Sequence, residues 1–242
     1  MTLDRNTTIT YLGHATALIE TPGEKRLLLD PWTSGNPACP AEWKSPERLG
    51  RLDLILMTHL HNDHVGDVLA IVKANPQAHV VGMIEGTNWL ETKGVQNVHP
   101  MNKGGSQTVE GIQITMTHAD HSSSFVEDNG AVIYGGEAAG YILQMENGFT
   151  LYAAGDTALF GDMALLSDLY RPELAFLPIG DLFTMGPREA AHAARLLGVS
   201  HVIPIHYKTF PVLTGTPEAF SKYAADLPDL QIHVLQPGET LR

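Results

Sequence analysis

Leu52-Asp53-Leu54-Ile55-Leu56-Met57 runs directly into Thr58-His59-Leu60-His61-Asn62-Asp63-His64, and Val65 to Asn75 follows. The first segment is mostly apolar and reads as a buried strand. In the last, Val65, Val68, Leu69 and Val72 recur at helical spacing, which predicts a helix over 65–75. Three imidazoles and a carboxylate therefore fall on the loop between a strand and a helix. In open α/β sheets, side chains from several strands converge outside such strand ends. Imidazole nitrogens and carboxylate oxygens are ligands for Zn²⁺ and similar cations, and a solvated surface loop rarely carries four of them in one turn. His-x-His alone would be weak evidence. The Asp63-His64 doublet adds a second pair of ligands beside the first, which suits two metals held about 3.5–4 Å apart.

The chain has 242 residues, 43% hydrophobic and 17% charged. That is enough for one well-filled globular domain, and no boundary is visible, so residues 1–242 are read as a single domain. A formal net charge of −12 gives no overall attraction to nucleic acid or to an anionic membrane. Cys39 is the single cysteine, so neither an intrachain disulfide nor a thiolate zinc cluster can form. The stretch 1–6 lacks the pattern of a secretory signal, and no apolar run is long enough to span a bilayer. The expectation is a soluble cytoplasmic protein.

Outward from the His-rich turn, Ile9 to Glu20 and Lys25 to Asp30 read as an opening meander of strands, and 31–50, rich in Pro, Ser, Gly and Trp, as a long excursion. A strand is expected over 79–83 and a short helix over 85–93. Alternation over 106–118 is interrupted by Glu110-Gly111. Strands at 141–145 and 149–153 flank Asn147-Gly148, a pair favoured in tight type I′ hairpins. Helices at 159–169, 187–197 and 217–225 then alternate with strands at 174–179, 201–205 and 232–235. Strands interleaved with helices around a β-rich centre suit an α/β fold: a four-layer αββα sandwich of two mixed sheets with helices outside.

Three further segments end apolar strands with ligand-type residues: Thr117-His118-Ala119-Asp120-His121-Ser122, Ala154-Gly155-Asp156-Thr157 and Ile205-His206-Tyr207. Taken alone, Asp156 reads equally as a helix cap and His206 as a core histidine. Together with the first turn, the pattern Thr-His-x-His-x-Asp-His, a later His, Gly-Asp and a late His resembles the metallo-β-lactamase superfamily over nearly the whole chain. Tyr11-Leu12-Gly13-His14-Ala15, His121-Ser122-Ser123, Leu177-Pro178-Ile179-Gly180 and His206-Tyr207-Lys208-Thr209-Phe210-Pro211 are similar to its compact metal-dependent hydrolases related to ascorbate-6-phosphate lactonase.

That resemblance implies two divalent ions, zinc first with manganese or nickel as alternatives. His59, His61 and His121 would hold one ion, and Asp63, His64 and His206 the other. Asp156 would bridge them, its two oxygens reaching different ions. His121 is preferred to His118 because the Ser-rich run after it matches the family. Asp63 would orient the attacking water. His14, placed by the resemblance near the pocket mouth, and Lys208 would meet the substrate and assist the leaving group. Asp30 could orient a ligand imidazole, or simply be a turn residue. His79, His99, His192, His201 and His233 read as structural or surface histidines. The implied activity is water-activated hydrolysis of a small ester, lactone or phosphodiester, anionic ones included. Nuclease action and redox or non-catalytic metal binding are the rival readings. The partner expected is a small-molecule substrate, with no nucleic acid and no membrane, and a homo-oligomer is left open.

Overall fold

In the computed structural model, residues 6–242 are described; the first five residues of the N-terminal stretch read above lie outside them. The strands are β1 (Thr8–Gly13), β2 (Thr16–Glu20), β3 (Arg26–Leu29), β4 (Leu54–Leu56), β5 (His79–Met83), β6 (Val98–Met101), β7 (Ser106–Val109), β8 (Ile112–His118), β9 (Ser124–Val126), β10 (Val132–Tyr134), β11 (Ala139–Gln144), β12 (Thr150–Ala153), β13 (Leu174–Pro178), β14 (His201–Ile205), β15 (Gln231–Ile232) and β16 (Thr240–Leu241). The helices are α1 (Asn62–Val65), α2 (Val68–Ala74), α3 (Ile84–Thr92), α4 (Met163–Tyr170), α5 (Pro187–Leu197) and α6 (Pro217–Tyr223).

Two seven-stranded sheets form, in the orders β16-β1-β2-β3-β4-β5-β6 and β15-β14-β13-β12-β11-β8-β7. Each is antiparallel on one side and parallel on the other, with β3 to β6 parallel in the first and β12 to β15 in the second. Alternation along the central strands explains the layering. Leu27, Leu29, Leu54 and Leu56 meet Leu174 and Phe176 between the sheets. Leu28 and Ile55 face outward onto α1–α3, and Ala175 and Leu177 onto α4–α6. Strands buried on both faces carry unbroken apolar runs, which is why 54–57 and 174–179 are so hydrophobic. The four-layer sandwich expected from the sequence is the architecture found. No helix among the described residues is long and apolar enough to cross a membrane.

Local departures have physical causes. The expected helix over 65–75 is split at Gly66-Asp67, where the Asp67 carboxylate leaves the helical path to accept bonds from the Thr33 and Ser34 amides at 2.6 and 2.7 Å. The tight hairpin lies at Glu110-Gly111, both with positive φ (52° and 85°) and joining Val109 directly to Ile112. At Asn147-Gly148 only Gly148 has positive φ (85°), and Met145 pairs with Phe149 across a three-residue loop, so this is not the type I′ turn. The helix expected from 159 begins at Met163, and the strand expected over 232–235 is Gln231–Ile232. β6, β16 and the hairpin β9–β10 were not anticipated. Segment 31–50 contains two 3-10 turns, Ala41–Trp43 and Pro46–Leu49, and packs Cys39 and Leu49 into the outer core of the first sheet. Burial pushes the Cys39 thiol up to about 11.

Candidate metal centre

The ligand-type residues sit where chain leaves the strands at one end of both sheets. β4 feeds the turn 58–64, β8 feeds 119–122, β12 feeds Gly155-Asp156, and β14 feeds His206. Gly155 (φ 63°) makes the bend before Asp156 possible: a Cβ there would stand 2.8 Å from Thr58 and 2.9 Å from the Ala139 carbonyl oxygen. The six residues between Asp156 and Met163 rule out Asp156 as the cap of α4.

Two clusters result. His61 Nδ1 lies 3.0 Å from His59 Nε2 and 3.3 Å from His121 Nε2. Nitrogens of a tetrahedral site at metal distances of about 2.0–2.1 Å stand roughly 3.3–3.4 Å apart, so His61 Nδ1 stands close to ligand spacing from both partners, and one nitrogen from each of the three rings lies within 4.8 Å of the others. Asp63, His64 and His206 form the second cluster, together with His14. Asp156 lies between the clusters. Its Oδ2 is 3.0 and 3.3 Å from Nε2 of His206 and His64, and 3.7 and 3.9 Å from Nε2 of His121 and His59. One oxygen thus faces both sets, where the sequence reading had each oxygen reach a different ion.

Proton positions follow from the neighbours. The Thr58 hydroxyl donates to Asp30 Oδ2 at 2.8 Å, leaving it to accept from His59 Nδ1 at 3.0 Å, so His59 keeps a lone pair on Nε2. His64 Nδ1 donates to Asp30 Oδ2 at 2.8 Å, so Nε2 is the nitrogen turned toward Asp156 Oδ2, 3.3 Å away. Asp30 is therefore an orienting carboxylate and no mere turn residue. His64 Nε2 and Asp156 Oδ1 are buried without a hydrogen-bond partner. Buried polar atoms without partners are costly to leave unsatisfied, and a nitrogen and carboxylate donor set of this kind fits divalent ions.

A family model described as "Beta-lactamase superfamily domain" matches residues 25–207. The chain belongs to the metallo-β-lactamase superfamily. A UPF0173 metal-dependent hydrolase of Rubrobacter xylanophilus is 50% identical over 236 residues, covering 97% of this chain and 96% of that protein. Another, from Methanosarcina barkeri, is 46% identical over 233 residues, covering 96% and 97%. The structure of Igni18, a novel metallo hydrolase from the hyperthermophilic archaeon Ignicoccus hospitalis, aligns with a TM-score of 0.85 at 32% identity, covering 97% of each chain. Within the superfamily the chain falls among the metal-dependent hydrolases.

In this superfamily member the charges are strongly coupled. Burial disfavours the Asp156 carboxylate, but His206 and His64 outweigh it and hold its pKa well below the ordinary range. Burial also pushes His64 down, and Asp156 and Asp30 override it, leaving His64 raised well above an ordinary histidine. His59, His61 and His121 are lowered, first by burial and then by neighbouring imidazoles, so they remain neutral and ligand-ready apart from the influence of Asp156. His118 is exposed, 3.3 Å from Lys103 Nζ and edge-on to Phe160, outside both clusters.

His14 is not at the mouth. It is fully buried, its ring 4.0 Å from that of His206 and 5.3 Å from that of Trp32. Nε2 lies 3.2 Å from Asp63 Oδ2 and Nδ1 2.9 Å from Thr209 Oγ1, while its carbonyl accepts from His206 N at 2.8 Å. Burial, then the nearby His206, lowers its pKa to about 4, so a neutral ring holds Asp63. It braces the second cluster through Asp63 and His206 and has no exposed surface. Lys208 is exposed, its ammonium 5.8 Å above the Tyr207 ring. His79 pairs with His99 at 2.8 Å and His201 with His233 at 2.9 Å; His79 and His201 open β5 and β14, at the strand ends opposite those that feed the ligand turns. Sequence reasoning missed Ser122 as a partner of His61 Nε2 (3.3 Å) and Thr209 as a partner of His14. Both lie within motifs singled out above, but a hydroxyl next to a histidine carries no signal of where it points.

Proposed function

We propose that the chain is a dinuclear metal-dependent hydrolase acting on a small ester, lactone or phosphodiester. The observation that carries it is Asp156 Oδ2 between two ligand sets, in each of which one imidazole turns its Nδ1 away from the centre, His59 to Thr58 and His64 to Asp30. One set is His59, His61 and His121; the other is Asp63, His64 and His206. Zinc suits this nitrogen-rich donor set, with manganese or nickel as alternatives. Two such cations would acidify a water and polarise the oxygen of the scissile group.

The chain's own residues supply the rest. Asp63, with 30% of its side chain exposed, is the open carboxylate of the site. Burial raises its pKa, but the His14 hydrogen bond and His64 outweigh this and keep it charged, able to orient a water and accept a proton. His14 fixes its position from below. His14 is too buried to protonate a leaving group, which falls to solvent. The net charge of −12 and the absence of a basic run argue for a small substrate over a polynucleotide, and against an anionic membrane surface as partner.

The test is elemental analysis of the zinc-reconstituted protein, followed by turnover of small esters, lactones and phosphodiesters beside single-stranded RNA across a range of salt. About two ions per chain and small-molecule turnover are expected. Fewer than one ion per folded chain would end the dinuclear reading. Salt-sensitive RNA cleavage without small-molecule turnover would put the nuclease reading first.

A further inference from the structure

Six of the large apolar side chains left exposed among the described residues stand on three connections beside the metal centre: Val126, Val132 and Tyr134, Leu182 and Phe183, and Val212. Each connection is tied to a ligand-bearing turn. The hairpin β9–β10 follows His121, and the Asn62 side chain, between His61 and Asp63, bonds the Val126 backbone through Nδ2 at 3.0 Å and Oδ1 at 3.1 Å. The turn 181–185 is anchored by Met185 N donating to the carbonyl of Thr157, next to Asp156, at 3.0 Å. The loop holding Val212 continues from His206, and Gly215 N donates to the Gly180 carbonyl at 3.1 Å.

The hairpin is two-faced. Phe125 and Ile133 pair across it and pack on the outer core, with the Phe125 ring 4.7 Å from Trp89. Strand alternation therefore turns Val126 and Val132, also paired, and Tyr134 to the other side, where they are 47%, 68% and 68% exposed. Leu182 and Phe183 are 63% and 57% exposed. Scattered exposed apolar residues need no explanation, but half of the large exposed ones standing on connections tied to one site point to a binding surface there. Ionic groups on the same turns are mainly acidic: Asp63, and the exposed Asp120 and Asp181, against Lys208. An anionic substrate is poorly served there.

We propose that this apolar border seats the hydrocarbon part of the substrate, making the substrate an uncharged ester or lactone with an alkyl or aryl group. The proposal rests on the hydrolase reading of the same centre. Its test uses zinc-reconstituted protein and p-nitrophenyl acetate, butyrate and hexanoate, with the succinate half-ester as an anionic comparator. In parallel, calorimetry measures binding of alkylboronic acids from methyl to hexyl, which needs no turnover. A rise in kcat/KM of about two- to four-fold per added methylene is expected, with a matching rise in boronate affinity. Val132→Ser and Phe183→Ser should flatten both series. Leu169→Ser, at an equally exposed leucine (71%) on α4, should leave the slopes unchanged.

Flat series in both assays, or a preference for the succinate half-ester, would overturn the proposal. A dimer in sedimentation that Val132→Ser and Phe183→Ser dissociate, without chain-length dependence, would overturn it too and give the surface to a second copy of the chain. Absence of ester turnover with boronate affinity still rising along the series would sink the ester-hydrolase reading and support the apolar border.

Discussion

Asp30→Asn replaces one carboxylate oxygen by an amide nitrogen at a residue that is 1% exposed and accepts three bonds of 2.8 Å: Thr58 N on Oδ1, and Thr58 Oγ1 and His64 Nδ1 on Oδ2. With the nitrogen in place of Oδ2, two donors face a donor. His64 must then carry its proton on Nε2, the atom aimed at Asp156 Oδ2 from 3.3 Å. With the amide flipped, the Thr58 N–H is left unpaired, at a cost of about 1–3 kcal/mol in folding stability. For a chain of this size each kcal/mol lowers Tm by roughly 2–4 °C. Either way the charge behind His64 is gone, and loss of such an orienting partner costs about 10–100-fold in metal affinity. The assay is a chelator-competed zinc titration of metal-free protein beside thermal melts. The expected result is a weakened zinc-binding step and a Tm lower by several degrees. Unchanged affinity in every step, even with a lower Tm, would show that Asp30 holds the fold and has no influence on the metal.

His121→Ala is expected to lose a zinc-binding step that His118→Ala retains, because His121 Nε2 converges on His61 while His118 points to Lys103 and Phe160; the same titration decides, and the reverse outcome moves the ligand by three residues. The metal-free protein should also lose stability on acidification. Burial pushes His14 and His233 to about 4, against about 6.5 unfolded, so between those values the unfolded chain binds more protons and stability falls as pH falls. The raised His64 acts oppositely: its contribution is present below the unfolded value and lost as pH rises through the folded one. With the lowered histidines outnumbering it, Tm in the presence of chelator should drop between about pH 6.5 and 4, and a flat or rising Tm there would refute this balance.

Sequence periodicity was sufficient for the layers, because strands buried on both faces must be continuously apolar and helices against them must repeat at their own spacing. Crowding behind an apolar strand nominated His59, His61, Asp63 and His64, whereas Asp156 and His206 read equally as a cap and a core histidine until the family resemblance joined them to that turn. Elements with weak local signals escaped periodicity. β16 is two residues long, β6 is Val-His-Pro-Met, and the hairpin β9–β10 gains its stability from Trp89 and Asn62, which are remote in sequence.

What only the tertiary structure decided is direction. A period-2 strand separates neighbours by face, but it does not say how the chain turns after β8, and that turn is what sends His121 inward and leaves His118 with Lys103. His14 and Lys208 both sit in turns with the same left-handed φ of 59°, yet one is sealed beneath the second cluster by Trp32 and Phe210 and the other stands in solvent. The sequence names donors and acceptors; which lone pair is left over depends on partners such as Asp30 and Thr58, 28 residues apart and joined only when β3 and β4 pair in parallel.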